Sequence, residues 1–178
     1  VNNYNYIHSE DTGTYLIQTT VGLRSNLHLK FARNKKFKNT EIACKNLLRA
    51  ESLTRQNNIT LDGGIWDANG DGLPGCTPLS STQCLRFVNL EDLEIKNVKV
   101  LNTTKYCIFV NNATRVSIHD VFFNTHSDGI HVTGPAKNFH IKNITGYTYD
   151  DFVAVGGPDY NGYAAYQGNC EDFIIENI

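Results

Sequence analysis

The sequence has no methionine, one tryptophan and four prolines in 178 residues, and only 19% of it is charged. Sixteen basic residues stand against 18 acidic ones, a net charge of −2, so no basic surface recommends a nucleic-acid partner. No apolar run approaches the length of a membrane span, so insertion into a membrane by a helix is not expected. The five cysteines (Cys44, Cys76, Cys84, Cys107, Cys170) form no CxxC pair, which argues against a zinc site. Cys76 and Cys84 are close enough in sequence to bridge a loop, with buried free thiols as the other reading. The stretch DANGDG, residues 67–72, matches the first half of a calcium loop, but Pro78 stands at the twelfth position where a glutamate is needed. Neither a metal nor another cofactor is expected.

What the sequence has instead is 21 asparagines and 14 glycines. Such residues disfavour long helices and suit short strands joined by turns. Four Asn-x-Ser/Thr sequons, at Asn58, Asn102, Asn112 and Asn143, are close to what chance gives at this asparagine content.

A pattern of apolar-x-apolar-x-Asn/Asp-apolar recurs at Leu93–Val98, Val116–Val121, Phe139–Ile144 and Phe173–Ile178. The first two intervals are equal, and the third is longer by an insertion. A weaker copy begins at Ile59, one long interval before Leu93. Between the copies runs a second pattern, CLRFVN from Cys84, CIFVNN from Cys107, GIHVTG from Gly129 and DFVAVGG from Asp151. Alternation over a few residues is a strand signal. Two strands in each short interval leave too little chain for a βαβ unit. They fit one coil of an all-β parallel β-helix, whose coils stack at about 4.8 Å. On this reading Ile108, Ile130 and Phe152 share an interior column, and Asn97, Asp120, Asn143 and Asn177 form a polar ladder at one corner. The chain opens directly on VNNYNYIHSEDTGTYLI and its last residues, EDFIIENI, read as a strand. Residues 1–178 are therefore expected to be a single β-helix domain cut from a longer chain, truncated at least at its C-terminal end.

The stretch NTHSDGIHV, residues 124–132, is followed one interval later by TYDDFVAV, residues 148–155. Laying the second stretch on the first aligns Tyr106, Asp128 and Asp150, and places Asp151 beside Cys107 and Gly129. Stacked carboxylates repel, which a structural turn has no use for and an acid/base hydrolase does. Neighbouring strand residues point to opposite faces, so Asp150 and Asp151 reach one cleft only if the chain bends there.

These residues resemble the NTDG and GDD motifs of family 28 glycoside hydrolases, the polygalacturonase group. NNITLDGGIWDANGDG at 57–72, LLRAES at 47–52 and TGTYLIQTTVGLRSNLHLKFA at 12–32 resemble the opening coils of that clan, particularly the versions in phage tail spikes and bacterial surface enzymes. The resemblance implies a right-handed parallel β-helix, a polysaccharide substrate cleaved with inversion, Asp150 as general acid, and Asp128 and Asp151 as the residues that activate water. It also suggests a homotrimer on a virion tail, or an extracellular enzyme. Two residues, His126 and Ser127, interrupt the first motif, and Tyr149 stands where the second has glycine. His131 would point outward beside the acids, as a substrate contact or proton partner. The insertion within Gly156–Gly168 carries Asp159, Tyr160, Tyr163 and Tyr166, and Tyr160 and Tyr163 are candidate sugar-stacking residues. Trp66 reads equally as a sugar platform or a plug against the stack. A non-catalytic receptor-binding or structural β-helix is the first rival. A polysaccharide lyase is the second, disfavoured because no basic residue accompanies the three aspartates.

Overall fold

A computed structural model describes residues 5–40, 44–73, 75–76, 83–157 and 164–178. Among these residues thirteen strands form, and every strand pairing is parallel. Parallel neighbours without crossover helices require the chain to wind round one axis, and the chain is a parallel β-helix.

Each coil passes through three faces. The first contains residues 48–51, 85–88, 108–111, 130–133 and 153–156. The second carries the column Leu27, Ile59, Leu93, Val116, Phe139 and Phe173. The third includes residues 35–39, 65–67, 99–103 and 121–125. The sequence intervals are thus coil lengths on the second face, the longer ones being coils with an excursion. Alternate residues point inward, and Leu85, Ile108, Ile130, Ile95, Ile118 and Ile141 are completely buried. Each such side chain contributes about 1.5–3 kcal/mol by leaving water.

The corners are turned by residues at positive φ. Asn97, Asp120, Asn143 and Asn177 all have φ between 54° and 57°, at the corner where the ladder was expected. Asn143 Nδ2 donates to Asp120 Oδ1 at 3.0 Å and Asn177 Nδ2 to Asn143 Oδ1 at 3.2 Å. A second corner stacks Asn26, Asn58, Asp92, Arg115, Asn138 and Asp172, again all left-handed. Short polar side chains tolerate this conformation and bond the next coil, which explains the abundance of asparagine.

On the first face the register differs from the expected one. Ile108 pairs with Ile130, but Ile130 pairs with Val153, not Phe152, so this coil is one residue longer than expected. Phe152 falls one place earlier, where its ring meets Phe123 at 5.3 Å. Residues 152 and 153 are both apolar, so the alternation alone could not choose between the two registers.

Trp66 is a core residue, 2% exposed, stacked on Phe37 at 4.3 Å and donating from Nε1 to the Gly63 carbonyl at 3.2 Å. The disulfide joins Cys44 to Cys76, so Cys76 is not the free thiol of the second reading, whereas Cys84 is a buried free thiol as that reading expects. Sequence separation suggested the nearer cysteine, but stacking brings excursions from successive coils together.

Candidate active site

Residues 126–129 turn the chain from the third face to the first, and residues 149–152 do so one coil later. The Gly129 amide donates to the Asp151 carbonyl at 2.9 Å, and the Ile130 amide to the Phe152 carbonyl at 3.0 Å. The His126 and Tyr149 rings stack at 5.2 Å. Continued one step from these pairs, the register sets Asp151 on Asp128 and Asp150 on Ser127. The expected alignment of Asp128 with Asp150 is therefore off by one residue, and the column reads Tyr106, Asp128, Asp151. Likewise His131 aligns with Phe109 as expected, but with Ala154 rather than Val153.

The turn is fixed from below by Thr125. Its hydroxyl accepts from Thr103 Oγ1 at 2.5 Å and from the Ser127 amide at 3.1 Å, and donates to the Lys105 carbonyl at 3.0 Å. Beneath lies Cys107, whose thiol is pushed up to about 12 by burial, against the opposing pull of hydrogen bonds from Thr103 and Thr125. Gly129 is required sterically, since a Cβ there would stand 2.1 Å from Phe123 Cζ.

Asp128 is 5% exposed, and its Oδ2 accepts a hydrogen bond from His131 Nδ1 at 2.5 Å. The His131 ring lies on Tyr106, centroids 3.9 Å apart and 11° from parallel. The His131 side chain, held between Asp128 and Tyr106, is only 17% exposed. Asp150 and Asp151 are exposed. They lie between the strands Ile130–Tyr147 and Val153–Gly156, in irregular chain, so strand alternation does not force them apart. Among the described residues neither carboxylate has a hydrogen-bond or ion-pair partner.

The outer surface of the first face continues from His131 to Phe109 and Arg86 on successive coils. The Arg86 guanidinium lies 4.8 Å from the Phe109 centroid and bonds both oxygens of Glu51, at 3.1 and 3.2 Å. Burial raises the Glu51 pKa, but Arg86 and Arg49 outweigh it and hold the carboxyl below its usual range. Returning from the insertion, Ala164 and Tyr166 pack against Val88, Tyr106 and Phe109. Asn111 secures that return by donating to the Tyr166 carbonyl at 3.0 Å and accepting from its amide at 3.1 Å. Ala164 and Tyr166 therefore lie beside the Tyr106–His131 stack. Tyr160 and Tyr163 lie outside the described residues. Among the described residues no group of three or more His, Cys, Asp or Glu side chains could hold a metal ion.

Three contributors had not been singled out from sequence. Thr125 lies within the quoted NTHSDG, and its repeat one coil earlier, Thr103, was a readable signal. Tyr106 entered only as a column neighbour of Asp128. The Glu51–Arg86 pair carries no local signal, because its members lie on separate coils.

The sequence profile described as Glycosyl hydrolases family 28 matches residues 6–168. Among solved structures, a candidate glycosyl hydrolase from Parabacteroides merdae ATCC 43184 superposes with a TM-score of 0.72 at 15% identity, covering 98% of this chain and 82% of that one. ORF18 of Geobacillus virus E2 superposes with a TM-score of 0.55 at 10% identity, covering 94% of this chain and 37% of that one. At these identities the likeness is one of fold. No curated protein matches the chain.

Proposed function

The chain belongs to glycosyl hydrolase family 28, and from that premise we propose an inverting polysaccharide hydrolase whose acid/base groups are Asp128, Asp150 and Asp151. The observation that carries this reading is the register of the turn. Asp128 and Asp151 occupy one position on successive coils, about 4.8 Å apart along the stack, and Asp150 adjoins them outside any strand.

Two of the acids then share a task that the third does not. Asp128 and Asp151, paired by the stacking, orient and deprotonate the attacking water. Asp150, set one residue aside, gives its proton to the leaving glycosidic oxygen. A single displacement of this kind inverts the anomeric centre. Buried Asp128 is held by His131, which fixes its carboxylate and leaves the exposed pair to meet the substrate. His131 is thus better assigned to positioning Asp128 than to touching sugar. Ala164 and Tyr166, at the end of the insertion, pack against Tyr106 and Phe109 on the side of the first face, and Tyr160 and Tyr163 remain proposed as the insertion's sugar-stacking residues.

The substrate is a cell-surface glycan and the setting a phage tail appendage, acting as a trimer, or a secreted bacterial enzyme. The fold likeness to ORF18 of Geobacillus virus E2 supports the viral setting. Proton NMR of the first product released from polygalacturonate, or from the surface polysaccharide of a bacterial host, tests the mechanism. Inversion is expected at the new reducing end; retention contradicts the assignment of roles.

A further inference from the structure

We propose that Tyr149, backed by His126, is a sugar-binding platform that sets a pyranose ring against the acid cluster from the side of the third face. The proposal rests on the reading of Asp128, Asp150 and Asp151 as the catalytic acids. It concerns a different part of the cleft from the insertion.

Tyr149 immediately precedes Asp150 and is 81% exposed. One face of its ring lies on His126, centroids 5.2 Å apart and 19° from parallel, so the other face is open to solvent. His126 is itself tethered, its Nε2 lying 3.3 Å from Asp71 Oδ1. Asp71 belongs to the short helical turn Gly70–Gly72, which with Leu73, Thr104 and His126 lines a hollow of about 410 Å³. That turn is tightly seated, since a Cβ on Gly70 would stand 2.7 Å from the Asn102 carbonyl oxygen. The platform is therefore built in three layers: a packed turn, a tethered imidazole and an exposed phenol ring.

An exposed ring held rigid by a second ring suits stacking on the C–H face of a pyranose, which loses little entropy on binding because the platform is already in place. The adjoining hollow offers the exposed Asp71 carboxylate to sugar hydroxyl groups. Position on the chain ties the platform to the reaction: a ring stacked on Tyr149 lies one residue from Asp150.

The test is binding of trigalacturonate and of cellotriose, one charged and one neutral pyranose trimer, to the full-length protein by calorimetry. At least one is expected to bind. For that probe Tyr149→Ala weakens binding about three- to tenfold, the range expected for one aromatic stack. Tyr149→Phe, which keeps the ring, binds within about twofold of the parent, and His126→Ala falls between. Absence of binding by both probes overturns the proposal, as does parental affinity in Tyr149→Ala. Asp150→Asn separates the two readings: if it hydrolyses at the parental rate while Tyr149→Ala weakens binding, the acid assignment fails and the platform stands.

Discussion

Asp151 stands one coil beyond Asp128 at the same position of the turn, yet the two carboxylates are held differently. Asp128 is buried and accepts a hydrogen bond from His131, whereas Asp151 is exposed. Leaving a buried acceptor without its donor costs about 1–3 kcal/mol, and more for a charged group. His131→Phe keeps a ring on Tyr106 and removes the donor, so it is expected to lower the melting temperature by several degrees. Added to Asp128→Asn, the same change should cost less than it does alone, because the charge it orphans is gone. Thermal melts of the two single variants and the double variant check this.

Gly129→Ala tests the packing that shapes the turn. Its Cβ would meet the Phe123 ring at 2.1 Å, a contact that only a shift of ring or backbone relieves. Overpacking of this kind costs about 1–3 kcal/mol. The variant should melt lower, and it should hydrolyse more slowly to the extent that the backbone shift carries the adjoining Asp128 with it.

Arg115 holds a left-handed conformation, φ 57°, in a corner column otherwise made of asparagine and aspartate. That conformation costs a long side chain about 1–2 kcal/mol. Its ion pairs, with both oxygens of Asp92 at 2.6 and 2.9 Å and with Glu91 at 3.2 Å, lie at the surface, where solvent screens them. Arg115→Asn is therefore expected to raise the melting temperature, by about 2–4 °C for each kcal/mol gained in a chain of this size. A lower melting temperature contradicts the ranking of the two effects.

Acid should destabilise the fold through Asp67. Burial raises its pKa, but Lys36 Nζ at 2.6 Å, Asn102 Nδ2 at 2.9 Å and the Asn69 amide at 2.9 Å outweigh burial and leave it below the usual value. A carboxyl depressed by folding contributes stability that is complete above its unfolded value, near about 4, and is lost as pH falls through the folded one. Melting temperatures measured from pH 6 to pH 2.5 should fall below about pH 4, and fall less steeply in Asp67→Asn. Equal slopes in parent and variant contradict this role for Asp67.

The fold was legible because a solenoid writes its period into the sequence. The column Ile59, Leu93, Val116, Phe139, Phe173 and the corner Asn97, Asp120, Asn143, Asn177 could be read without coordinates. The register at the acids could not, because Phe152 and Val153 are equally apolar and coils differing by a single residue bury one or the other. That residue decides whether Asp150 or Asp151 stacks on Asp128. The Cys44–Cys76 bridge and the Glu51–Arg86 pair were invisible for a different reason: each joins excursions or faces of separate coils, and no local pattern records it. Tyr149 was visible only as a departure from the family motif; its exposure and its stack on His126 needed the structure.

A general acid must keep its proton at the working pH while its neighbours stay ionised, the task proposed for Asp150. Asparagine at this position preserves size and removes the proton donor. The most direct measurement is reducing-end release from the glycan substrate by the full-length protein and by Asp150→Asn, at matched occupancy. A rate lower by roughly 10²–10⁴-fold is expected in the variant, with glycan binding retained. Equal rates in the two proteins would contradict it.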